Sequence, residues 1–227
     1  MGTPARGFTL IEIAIVLVII GLLLGGVLKG EELIRAARVR NLISEEQGIK
    51  AAFYGFQDRF RALPGDYASA SSNINCGATT CVDGDGNGRI DAPNAGGMHE
   101  EIMVWTHLTA AGFLNGSYTA TAADAAPTDA NNPKNPYDVY VQLAYDNNYG
   151  SGTVTSRHNL KTGGQIPVEL IAEVDRKIDD GNPYSGAFQF SPYAPPAGLA
   201  PNAATCISGT SWNITGEDAN CAGASLF

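Results

Sequence analysis

The sequence predicts an α+β fold: a long N-terminal α-helix, transmembrane in its first half, packed on a small antiparallel β-sheet head with loop insertions. Three observations carry this. Residues 8–28 are apolar except for Thr9 and Glu12. Apolar residues then recur at three- and four-residue steps as far as residue 60. After Pro64 the text breaks into short alternating segments separated by Gly-, Asn- and Pro-rich stretches.

The apolar run makes about 30 Å of helix, the thickness of a bilayer's hydrocarbon core. It is longer than a secretory h-region, and no A-x-A-like cut follows it, so the chain is expected to stay in the membrane. Leu33, Ile34, Ala37, Leu42, Ile49, Ala52, Phe53, Phe56 and Phe60 extend one helical face. Glu31, Glu32, Arg35, Arg38, Glu45, Glu46, Lys50, Asp58 and Arg59 are assigned to the other. Pro64-Gly65 ends the helix near residue 62, giving a rod of about 80 Å. The expected divisions are a leader at 1–7, a membrane helix at 8–30, its amphipathic continuation at 31–63 and a globular head at 64–227.

In the head, "MHEEIMVWTHLTAAGFL" reads as a short helix with Ile102, Trp105 and Leu108 on one face. "DVYVQLAYD" and "TVTSRHNL" are strands around an "NNYGSG" turn. "IPVELIAEVDRKIDD" is a helix closed by Gly181, and "GAFQFS" is a third strand.

Glu12 raises the functional question. A carboxylate in a bilayer costs about 2.5–3.5 kcal/mol on insertion scales and usually has a partner. No basic residue lies within two turns downstream. Cutting after Gly7 would free the amine of Phe8, four residues from Glu12 and on the same helix face. "RGFTLIEIAIVLVIIGLLL" resembles the type IV prepilin and type II secretion pseudopilin signature. The resemblance covers about the first 30 residues, and the helix pattern extends it to about residue 63. It implies a pilin-like fold, cleavage between Gly7 and Phe8 by a prepilin peptidase, and N-methylation of Phe8. It also implies a role for Glu12 in assembly, paired with the N-terminal amine of an adjacent subunit. The implied partners are copies of the chain, other pilins and inner-membrane assembly machinery. Many relatives carry a proline late in the apolar run; here Lys29 stands near that place, among Gly25, Gly26 and Gly30, which can soften a helix. Phrases such as "FQDRFRALPGDY" and "VDRKIDDGNPYSG" resemble a subgroup of pilin-like proteins and link the head to the helix.

The net charge of −9 disfavours nucleic acid. Four cysteines behind a membrane segment predict two disulfides in an oxidising compartment, with the head in the periplasm of a bacterium and the chain single-pass in the inner membrane. Local pairs, Cys76–Cys81 and Cys206–Cys221, are favoured over the other two connectivities because each closes within one segment. "DGDGNGRIDAPN" has calcium-loop spacing: Asp83, Asp85 and Asn87 at positions 1, 3 and 5, Gly88 at 6, the Arg89 carbonyl at 7 and Asp91 at 9. Asn94 replaces the bidentate glutamate of position 12, for which Glu100 or Glu101 could stand in. Asp175, Asp179 and Asp180 form a second acidic group, read as a solvated face. His99, His107 and His158 make no H-E-x-x-H pattern and no G-x-S-x-G occurs, so no enzyme is expected. The expected function is a structural subunit of a type IV pilus-like filament, surface or periplasmic. The alternative is a minor pilin or pseudopilin acting as a binding module in type II secretion or adhesion, with the 117–136 and 192–205 loops as candidate contacts.

Overall fold

The computed structural model describes residues 9–77, 81–150, 154–196 and 198–227. In chain order these form α1 (Leu10–Phe60), α2 (Ala70–Asn73), α3 (Glu100–Ala110), β1 (Gln142–Asp146), β2 (Arg157–Lys161), α4 (Val168–Ile178), β3 (Phe188–Phe190), α5 (Ala203–Cys206), β4 (Ile207–Ser208), β5 (Ser211–Trp212) and β6 (Gly223–Leu226). The chain divides into two units, one ending at Arg38 and the other running from Val39 to Phe227.

The described part of the first unit is helical from Leu10 onward. Every large apolar side chain between Leu10 and Leu28 is exposed, so apolar surface covers the helix all round. This is the pattern of a segment solvated by lipid or by other helices rather than by water. The helix continues through Gly25, Gly26 and Gly30 without interruption. Leu33 and Ile34, expected on the packed face, are 57% and 58% exposed.

In the second unit the helix buries Val39, Leu42, Ile49, Ala52, Phe53 and Phe56. Ile49, Ala52, Phe53 and Phe56 pack with Ile90, with Val104, Trp105 and Leu108 of α3, and with Leu143 and Leu160 of the sheet. Val39 and Leu42 join a second cluster with Ile171 and Val174 of α4, Phe188, Phe190 and Trp212. The Phe-rich stripe is therefore core, and Phe53 also stacks on Phe227 with centroids 4.9 Å apart. Glu46 departs from the expected face. It is 5% exposed, and Ser225 Oγ donates to its Oε2 at 3.2 Å. The helix stops at Phe60, and Arg61 takes a positive φ of 54° just before the Leu63-Pro64 step.

The sheet has four strands in the order β1-β2-β6-β3, and all pairs are antiparallel. The three expected strands are present, shorter than their alternating segments; Thr153 of the second lies outside the described residues. The interior strand β6 has no strand-like composition. At Gly223 the missing side chain is required by packing: a Cβ there would lie 2.0 Å from Cζ of Phe188. Helix α4 buries Val168, Ile171 and Val174 and is followed by Gly181 at φ 77°, which turns the chain toward β3. Both local disulfides are formed, Cys76–Cys81 and Cys206–Cys221. The second ties the segment that carries the β4–β5 hairpin to Cys221, two residues before β6.

Candidate functional site

Two places concentrate chemistry, the start of α1 and the loop before α3. At the first, Gly7 and Phe8 lie outside the described residues. Thr9 and Glu12 form a reciprocal cap. The backbone N–H and the hydroxyl of Thr9 both donate to Glu12 Oε2, at 2.7 and 2.8 Å. The backbone N–H of Glu12 donates to Thr9 Oγ1 at 3.3 Å. This is a capping box, in which a T-x-x-E sequence satisfies donors that the first turn would leave orphaned. A glutamate in an apolar run is thereby given local donors within its own chain. The T-x-x-E spacing was present in the sequence as a capping signal beside the sought amine partner. Further along the helix, Lys29 Nζ pairs with Glu32 at 2.7 Å.

At the second place, Asp66, which follows the Pro64-Gly65 turn, is drawn into the acidic loop. A Cβ on Gly84 would lie 2.4 Å from the Asp66 backbone, so only glycine lets the two segments meet. The N–H groups of Asn87 and Gly88 donate to the two oxygens of Asp66, each at 2.9 Å. Glu100, on the first turn of α3, accepts from the N–H of Asp85 and of Asp91, both at 3.0 Å, and from Asn94 Nδ2 at 2.9 Å. Asn94 therefore orients Glu100 from the position where a calcium loop carries its glutamate. Oxygens of Asp66, Asp85 and Glu100 come within 4.8 Å of one another. Burial, reinforced by the nearby Glu100, pushes Asp66 up to about 6, and burial also raises Glu100.

The remaining residues of the expected calcium set go elsewhere. Asp83 accepts from the N–H and the hydroxyl of Ser71, at 2.7 and 2.8 Å, and braces α2. Asn87 Nδ2 donates to Asp85 and Asp91, at 3.1 and 2.9 Å. The Arg89 N–H donates to Asn87 Oδ1, and its guanidinium lies 5.1 Å from the Tyr145 ring centroid. Glu101 is outside the group and pairs with His99 Nδ1 at 2.7 Å. Asp66 is the member that sequence reasoning missed, since its distance along the chain from Asp85 hides the close approach at Gly84.

Residues 3–28 match the family model for the prokaryotic N-terminal methylation motif. No curated protein and no solved structure matches the chain. The match decides the reading of the first place. The chain carries the type IV prepilin signature. That signature implies processing by prepilin peptidase and assembly with other pilins, and with the apolar helix it fits a membrane-anchored pilin or pseudopilin. It points to a structural protein.

His107 and the second acidic group make structural contacts. The Gly65 N–H donates to His107 Nδ1 at 2.9 Å, so Nε2 carries the proton and donates to the Val82 carbonyl at 2.8 Å. Burial holds His107 down to about 4 and keeps it neutral. In the second acidic group, Asp175 accepts from Trp212 Nε1 at 2.7 Å, Asp179 from the Phe188 N–H at 2.8 Å, and Asp180 from the Ser185 hydroxyl at 2.6 Å. Asp175 is fully buried rather than part of a solvated face; the bonds of Asp179 and Asp175 fasten the end of α4 to β3 and β5, and that of Asp180 closes the turn between α4 and β3.

Proposed function

We propose that the chain is a structural subunit of a type IV pilus-like filament. On this reading it is cut between Gly7 and Phe8, methylated on Phe8 and assembled through its apolar helix. The observation that carries the proposal is an apolar helix exposed all round, capped by the Thr9–Glu12 box inside the methylation motif. Before assembly, Thr9 supplies donors to Glu12 and lowers the cost of keeping a carboxylate at the membrane. In a filament, apolar helices bury one another and Glu12 exchanges those donors for the Phe8 amine of a neighbour, which sets the axial register. The subunit is placed in the bacterial inner membrane with its head in the periplasm, where both disulfides persist. The test is Glu12→Ala in cells that are sheared and fractionated. Loss of the chain from the sheared fraction while it remains in the membrane supports the proposal; unchanged assembly contradicts it.

The second reading is a minor pilin or pseudopilin whose head is a binding module in type II secretion or adhesion. A cavity between the two long head loops favours it. In either case the acidic loop is proposed as a calcium site through Asp66, Asp85 and Glu100, hard oxygen donors that suit this ion and would brace the loop. Calcium should raise the unfolding temperature of the intact chain in detergent relative to chelator. Glu100→Gln should abolish that increment, and an equal unfolding temperature with and without calcium would remove the site.

A further inference from the structure

Asparagine followed by glycine occurs twice in the chain, at Asn87-Gly88 and at Asn115-Gly116. The pair is chemically labile. Glycine has no Cβ to shield its backbone nitrogen or restrict its torsions, so that nitrogen can reach the carbon of the preceding side-chain amide. Both asparagines and both glycines are exposed, so exposure does not separate the two places. Bonding does. In the acidic loop, Asn87 Nδ2 donates to Asp85 and Asp91 at 3.1 and 2.9 Å, and Asn87 Oδ1 accepts from the Arg89 N–H at 2.8 Å. The Gly88 N–H donates to Asp66 Oδ2 at 2.9 Å. The amide is held, and the nitrogen that would attack it faces a carboxylate, which opposes loss of its proton.

Asn115-Gly116 lies beyond the end of α3, where the chain enters the 117–136 loop. Gly116 has a φ of 127°, a conformation that L side chains rarely adopt, so the turn itself calls for the glycine. Among the described residues, no group bonds the Asn115 side-chain amide or the Gly116 N–H. We infer that Asn115 is a site of spontaneous deamidation, while the loop around Asn87 keeps that residue an asparagine. The Gly116 nitrogen gives its proton to solvent and attacks Asn115 Cγ. The Cγ–Nδ2 bond breaks, and the leaving nitrogen takes a proton from solvent and departs as ammonia. Water then opens the succinimide, at Cγ to give aspartate or at the backbone carbonyl carbon to give isoaspartate. Either product adds a negative charge at the root of the 117–136 loop, and isoaspartate also adds one methylene to the main chain there. A chain that persists in a membrane or a filament gathers this mark with age. The chemistry needs no enzyme and does not depend on assembly, so it stands apart from the filament reading.

Peptide mapping by tandem mass spectrometry tests this on the full chain, sampled over time in a non-ionic detergent at mildly alkaline pH. A parallel sample is held in urea with its disulfides intact. In the folded chain, residue 115 should convert to a mixture of aspartate and isoaspartate at least about tenfold faster than residue 87, which must first open locally. In urea the two should convert at rates within about threefold of each other, because carboxylates in water act only weakly at such range. That pair of results supports the inference and assigns the selection to the fold. An unconverted Asn115, equal rates at the two residues in the folded chain, or aspartate at residue 115 without isoaspartate overturns it.

Discussion

Thr9 and Glu12 hold each other at the start of α1, with two donors from Thr9 on one carboxylate oxygen and the Glu12 N–H returned to the Thr9 hydroxyl. The hydroxyl takes part in two of these three bonds. Thr9→Val should therefore weaken the helix start by about 1 kcal/mol and lower the filament yield. Thr9→Ser should restore both, and Glu12→Ala should be the more severe lesion because it removes the carboxylate itself. Quantifying the chain in sheared and membrane fractions of the three variants checks the order.

His107 makes head stability sensitive to acid. Its folded pKa is depressed to about 4 from an ordinary 6.5, because the ring is buried between Gly65 and Val82. The unfolded chain binds the proton first. The contribution is complete above about pH 6.5, erodes as pH falls, and is lost below about pH 4, a swing of order 3 kcal/mol. Denaturant midpoints between pH 7 and pH 4 should show this decline. A His107→Gln variant should be weaker at neutral pH and lack that part of the slope.

Glu46 acts in the opposite direction. Burial pushes it up to about 8 despite Lys50 and Ser225, while Glu45 raises it further. The folded state holds its proton, so its contribution is present below about 4.5 and is lost as pH rises through about 8. Glu46→Gln should leave stability near pH 5 little changed and raise it by about 2 kcal/mol at pH 9. Unfolding curves at the two pH values test the sign.

The Cys206–Cys221 bridge fastens the chain next to the interior strand β6. Replacing both cysteines by serine should cost about 3 kcal/mol. The loss should appear as lower protection of β6 and β2 amides in hydrogen exchange, with α3 less affected.

What the sequence made legible follows from where each signal originates. The apolar N-terminus, the Phe stripe and α4 are visible because burial imposes a period on neighbouring residues. Gly223 to Leu226 hide a strand, in part because the space above Gly223 is filled by Phe188, a residue far away in the chain. Glu46 looked like an ordinary solvated charge, and only the position of Ser225 reveals that it is covered. Calcium-loop spacing marked the acidic loop, yet the loop's own folding sends Asp83 to Ser71 and brings Asp66 and Glu100 together across Gly84. No local pattern encodes that exchange.

The central claim is that the methylation motif is used. The most direct measurement is the N-terminal sequence and intact mass of the chain purified from its own cells. The account predicts a chain that starts at N-methylated Phe8. A chain in the membrane that still starts at Met1 and lacks the methyl group would contradict it.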